Sequence, residues 1–218
     1  HELSAVVSQQ PVGVLVAAGG NWSGAWALDT LNPEVRAWIA TFMGTVTRGW
    51  GYRFLKLDFL FGACLEPHGG MNRGQLMADA LDLLRASVPQ GTWFDMCGVP
   101  IMSAFGRTEY CRIGCDVGLD WDDVPLMRLL HRERVSTKRS FANTIARAHL
   151  NGVVFNNDPD VFFLREDVKL TDLQRSRLMQ ADATFGGMFL TSDDPSAWND
   201  AQRADFGRAL TLFVRING

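Results

Sequence analysis

The chain has 218 residues, 47% of them hydrophobic and 21% charged, with a formal net charge of −3, which is the composition of an ordinary globular protein with a substantial core. No Lys/Arg cluster is interleaved with aromatics, so a nucleic-acid footprint is excluded, and no apolar run reaches the about 18 residues of a membrane span. The four cysteines, Cys64, Cys97, Cys111 and Cys115, form neither zinc-type pairs nor a disulfide scaffold.

The chain begins with His1 and shows no secretory pattern. It therefore reads as an excised or incomplete piece whose compartment is unread, with the cytoplasm slightly favoured. Asn32, Pro33 and Glu34 spell a helix start, with a capping Asn, Pro at the first helical position and an early acid. Val35, Trp38, Ile39, Phe42, Met43 and Val46 follow at helical spacing, and Gly49 ends that helix. A strand over 52–59 comes next, then a helix over 73–87, a strand over 93–97 and another over 110–116. A helix from about Lys138 to Leu150 precedes a strand over 153–157. Thr171 and Gln174 make a capping box for a helix to about Ala183. A last strand over 185–190 leads to a helix capped by Ser196. Strands alternate with helices and no hairpin signal intervenes, so the fold class is α/β with a parallel sheet and helical crossovers.

Chemistry-bearing residues gather at the predicted strand ends, where α/β folds place their sites. Lys56 and Asp58 share one face of the apolar 52–59 strand. Burial of such charges is costly unless they are paired or used, so the pair reads either as a catalytic carboxylate with its partner or as a structural Lys–Asp pair. On the 110–116 strand Arg112, Gly114 and Asp116 share a face, with Gly114 leaving room for a ligand or the Arg–Asp pair simply closing the strand. Asn157, Asp158, Asp193 and Asp194 complete a carboxylate-rich set. Two carboxylates from different strands are the minimum equipment for glycoside hydrolysis. The same pair could hold a divalent metal, but no third ligand has a fitting spacing, and no G-x-S-x-G elbow or phosphate-binding glycine loop occurs. Seven tryptophans fit a carbohydrate pocket; Trp22, Trp26 and Trp121 lie in loops, whereas Trp38 falls on a helix's apolar stripe and reads as core.

The ordered motifs Trp26–Asp29, Asn32–Val35, Phe54–Phe59, Cys97–Pro100, Arg112–Asp116 and Asn157–Asp160 closely resemble the catalytic barrel of glycoside hydrolase family 36, the melibiase-type α-galactosidases. The resemblance runs from about Trp22 to Asp194. It implies a (β/α)₈ TIM barrel, present in part as about strands four to eight with their helices, so that residues 1–218 are the C-terminal part of a catalytic domain. The N-terminal β-sandwich, the first barrel strands and the C-terminal β-domain of the family would be absent. By the same resemblance Asp58 is the nucleophile and Asp116 the general acid/base of a retaining α-galactosidase. Lys56, Cys97, Gly98, Arg112 and Trp22 are substrate-binding residues, and no cofactor or metal is needed. The expected partner is an α-galactoside oligosaccharide of the raffinose kind, with neither nucleic acid nor membrane, and a homo-oligomer remains open for the full-length protein. A related α-N-acetylgalactosaminidase, a raffinose-synthase-like galactosyl transferase and an inactive sugar-binding fragment are the alternatives. One departure is Cys115, where the family usually has Pro.

Overall fold

A computed structural model of the chain describes residues 27–122 and 135–218. It divides into two compact units, His1–Glu109 and Tyr110–Gly218. Among the described residues no helix is long and apolar enough to cross a membrane.

The first unit contains helix α1 (Pro33–Gly44), strand β1 (Phe54–Leu57), helix α2 (Arg73–Ala86) and strand β2 (Trp93–Met96). The Asn32 side chain accepts the Glu34 N–H at the start of α1, and Asn72 with Gln75 forms a capping box on α2. In each case a polar side chain satisfies N–H groups that the first turn leaves without partners. The α1 helix continues as a π-helical turn to Gly49, the glycine at which the sequence predicts its end. Leu76, Met77, Ala80 and Leu81 bury the inner face of α2. The stripe on α1 is less buried than its spacing predicts: Val35 and Met43 are inside, while Trp38 and Phe42 are exposed and stack on each other at 5.5 Å. Trp38 is therefore not a core residue in this structure.

Strands β1 and β2 pair in parallel, with Leu55 opposite Phe94, Lys56 opposite Asp95 and Leu57 opposite Met96. The predicted strand over 52–59 is shorter than expected and open. Phe54, Lys56 and Asp58 are exposed and only Leu55 and Leu57 are half-buried. The apolar pattern of the run reflects its place in the sheet. The inner residues of β2 are different: Phe94, Asp95 and Met96 are fully buried.

The second unit contains β3 (Tyr110–Arg112), α3 (Thr137–Ala146), β4 (Asn156–Asp158), β5 (Val161–Phe162), α4 (Asp172–Phe185), β6 (Leu190–Thr191) and α5 (Asp200–Asn217). β3 pairs β4 in parallel, and β5 pairs β6 in parallel, as crossover connections require. The Thr171–Gln174 capping box on α4 is formed. The strand expected over 153–157 begins only at Asn156, because Val153 lies in a turn and is 78% exposed. The strand expected over 185–190 is displaced, since α4 runs on through Phe185. The cap of α5 is Asn199 with Gln202, and Ser196 instead sits in a short 3₁₀ turn capped by Asp194. The core of this unit joins Phe162, Phe163, Leu164, Leu178 and Trp198, with Phe189, Phe206 and Phe213 packed on it. Phe162, Phe189 and Phe206 stack with centroids 4.7–6.2 Å apart, a geometry that adds attraction beyond area burial.

Candidate active site

In the first unit, β1 and β2 bring the sequence-predicted Lys56, Asp58, Cys97 and Gly98 to one end of a strand pair. The Cys97 N–H donates to the Leu57 carbonyl at 2.8 Å, prolonging the pairing past β2. Beyond it the chain turns sharply. Phe59 takes a left-handed backbone, φ 56°, and its N–H donates to Asp58 Oδ1 at 2.7 Å. The Phe61 N–H donates to the Gly98 carbonyl at 2.7 Å. Gly98 has φ +64°, and a Cβ there would meet the Phe59 backbone at 3.2 Å. Glycine is thus required for two reasons, its dihedral and the close approach of the chain that carries Asp58. Asp58 is exposed and presents a carboxylate to solvent; Cys97 is buried and reduced.

Lys56 is bound to a residue that the sequence reading passed over. Its Nζ lies 3.3 Å from Asp95 Oδ2, and the Asp95 side chain is completely buried while that of Lys56 is 38% exposed. The signal was present in the sequence: an acid in the middle of an otherwise apolar strand is as anomalous as the lysine opposite it.

In the second unit Arg112 gathers three carboxylates. Its Nη1 donates to Asp116 at 2.9 Å, its Nε to Asp158 at 3.2 Å and its Nη2 to Asp160 at 2.7 Å. Asp158 is fully buried, whereas the Asp116 side chain is 64% exposed. Asp116 lies in the loop beyond β3 rather than on the strand, and the Arg–Asp pair considered from the sequence is formed. The expected space at Gly114 is filled by α3: a Cβ there would meet Ser140 Oγ at 3.2 Å. Gly114 therefore permits helix packing rather than ligand entry.

Asp160 holds a strained left-handed backbone, φ 83°. It is fixed there because its N–H donates to Asp158 Oδ1 at 2.8 Å and its own Oδ2 accepts the Val117 N–H at 2.7 Å. Burial pushes the Asp160 carboxyl above the usual range, against the pull of Arg112. Asp182 on α4 is completely buried, and neither of its oxygens has a hydrogen-bond partner. Burial first, then the charges of Asp160 and Asp158, push its carboxyl well up, which favours its neutral form.

Other predicted strand-end residues serve structure. Asn157 is buried and its amide donates to the Arg147 and Phe185 carbonyls. Asp193 accepts N–H groups of Leu164, Arg165 and the Trp198 indole at 2.6–3.0 Å. Trp121 packs on Phe141 at 5.7 Å. Trp22 and Trp26 lie outside the described residues. Among the described residues no group of three His, Cys, Asp or Glu side chains could hold a metal ion.

No family model matches the chain. Two solved structures of the Thermus thermophilus α-galactosidase are similar over nearly all of it. The complex with stachyose has a TM-score of 0.81 and 27% identity over 96% of this chain and 45% of that one. The complex with p-nitrophenyl α-D-galactopyranoside has a TM-score of 0.80 and 28% identity over 98% and 43%. The α-galactosidase I of Mortierella vinacea, at a TM-score of 0.60 and 14% identity over 79% and 46%, supports the fold alone. The chain thus spans less than half the length of the structures it matches. Its fold is α/β and is similar to part of α-galactosidases whose catalytic domains are TIM barrels, a likeness that fits the resemblance to glycoside hydrolase family 36 read from the sequence.

Proposed function

We propose that this partial α-galactosidase-like barrel belongs to a retaining α-galactosidase acting on terminal α-galactosides of oligosaccharides, and that residues 1–218 form the C-terminal part of its catalytic domain. The supporting observation is the likeness to an α-galactosidase across 96% of the chain at 27% identity. In this reading Asp58 and Asp116 divide the chemistry. An oxygen of the ionised Asp58 attacks the anomeric carbon while the bond to the leaving oxygen breaks, and the Asp116 proton passes to that oxygen. A galactosyl ester on Asp58 results. Asp116, now a carboxylate, takes a proton from water as the water oxygen attacks the same carbon. The ester bond breaks and the anomeric configuration is restored.

Lys56 and Arg112 supply donors for hydroxyls and for the placement of Asp116, and Cys97, Gly98 and Trp22 shape the sugar pocket. An exposed Asp58 suits a nucleophile that must meet substrate, and its hydrogen bond from Phe59 fixes the carboxylate plane. The experiment is hydrolysis of p-nitrophenyl α-D-galactopyranoside by the parent, Asp58→Ala and Asp116→Ala. Loss of turnover in both, with azide restoring Asp58→Ala as a galactosyl azide of inverted configuration, is the expected result. Turnover that needs added metal and survives both substitutions would remove the reading.

A further inference from the structure

We infer that Asp95 is the positioning residue for Lys56, a buried anchor that sets the ammonium group where a sugar hydroxyl would meet it. The inference rests on the galactosidase reading for the identity of the ligand, but its structural part stands on two neighbouring strands. Lys56 on β1 and Asp95 on β2 are register partners, so their side chains rise from the same face of the pair. The two ends of the contact lie in different surroundings. The carboxylate is wholly buried, and the lysine side chain is 38% exposed with Nζ 3.3 Å from it. The carboxyl end of the pair lies inside, and the ammonium end lies toward the surface.

Energetics argue against a purely structural purpose. Phe94 and Met96, which flank Asp95 and face the other side of β2, are fully buried, and so is Asp95 itself. A buried ion pair is weak evidence for stability, because desolvation offsets its attraction. What the pair does supply is order. Lysine has a long, flexible stem whose rotamer freedom must be lost before it can hold a ligand. An anchor that removes that freedom in advance lessens the loss on binding. An ammonium carries three N–H donors, so a contact with Asp95 is compatible with bonds to hydroxyls. Lys56 also precedes Asp58 by two residues, and Asp58 lies just beyond the end of β1. The anchor thus fixes a cation on the strand that leads into the proposed nucleophile.

The test is a double-mutant cycle in the chain, read as KM and kcat with p-nitrophenyl α-D-galactopyranoside and as the urea unfolding midpoint. Asp95→Asn keeps size and removes charge. It is expected to raise KM about tenfold with a smaller change in kcat, the pattern of lost ground-state binding. Lys56→Met should do at least as much, and the double variant should be no worse than Lys56→Met alone, because Asp95 acts through Lys56. Lys56→Arg, which keeps a cation for Asp95, should retain part of the affinity. Multiplying KM effects in the double variant would overturn the inference. So would an Asp95→Asn protein that unfolds earlier but keeps its KM, since that is the behaviour of a structural residue. The unfolding cycle separates the two layers of the reading. Coupling between the sites in urea, with turnover that survives both Asp58→Ala and Asp116→Ala, would remove the galactosidase assignment and leave the anchor. Additive unfolding effects would remove the anchor whatever the activity.

Discussion

Arg112 Nη2 stands 2.7 Å from Asp160 Oδ1, and that contact holds a residue in a backbone conformation it would not choose alone. An aspartate at φ 83° carries a cost of about 1–3 kcal/mol unless its surroundings fix it. The guanidinium, the Val117 N–H and the Asp158 carboxylate fix it together. The same guanidinium reaches Asp116, the proposed acid/base, so the strain at Asp160 and the placement of Asp116 share one support.

Removal of that support should be severe. Arg112→Leu leaves Asp158 and Asp160 buried without their cation, and breaking a buried pair costs about 3–5 kcal/mol. The urea unfolding midpoint should fall accordingly. Arg112→Lys keeps the charge, but an ammonium cannot present the planar fork that meets three carboxylates, so its midpoint should lie between the two. An Arg112→Leu protein as stable as the parent would show that the cluster is held by something else.

Asp182 predicts a pH dependence whose sign follows from its burial. Its carboxyl is pushed well above the usual value of 3.8 in the fold, so the folded state binds that proton more tightly than the unfolded state. The stability linked to it is fully present below the unfolded value and is lost as pH rises through the raised folded value. Asp160 shifts in the same direction. Asp182→Asn removes the titration and offers N–H donors near two carboxylates. At neutral pH it should stabilise the chain by roughly 1–3 kcal/mol and flatten the fall in stability as pH rises above the usual carboxylate range. Urea titrations across that rise compare the slopes, and equal slopes for parent and variant would contradict this account.

Gly98 ties the backbone to the proposed nucleophile. Gly98→Ala places a Cβ 3.2 Å from Phe59 Cα and N, at a dihedral of +64° that alanine resists. The chain would have to shift at the residue following Asp58. Destabilisation of about 1–3 kcal/mol is expected, with a loss of turnover larger than the fraction unfolded explains. Circular dichroism and activity on the same sample would separate the two effects.

Local codes were legible in the sequence, and long-range ones were not. The caps at Asn32, Asn72 and Thr171 depend on residues two or three apart, and of these the sequence reading found Asn32 and Thr171. Parallel pairing followed from the alternation of elements. In contrast, Val153, Val154 and Phe155 have strand propensity but fall mostly in a turn, because tertiary context outweighs so short a run. Asp193 looked like a pocket acid, yet it binds N–H groups of residues 28 and 29 positions away, a distance that no pattern encodes. Asp95 was within reach, since its register partner Lys56 had already been singled out for the same anomaly.

The division of labour between the carboxylates can be read from leaving groups. Asp116 is proposed to protonate the departing oxygen, a task whose value depends on how basic that oxygen becomes. A nitrophenolate leaves without much help, while a sugar alkoxide does not. Asp116→Ala should therefore depress hydrolysis of stachyose by roughly 10²–10⁴ and the first step with p-nitrophenyl α-D-galactopyranoside far less. Its galactosyl ester should then accumulate, because no base activates the water, and a burst of nitrophenol should precede slow turnover. Asp58→Ala should show no burst with either substrate, since the ester has no oxygen to form on. Stopped-flow absorbance distinguishes the two variants. A burst in Asp58→Ala, or equal losses on both substrates in Asp116→Ala, would reverse or remove the assigned roles.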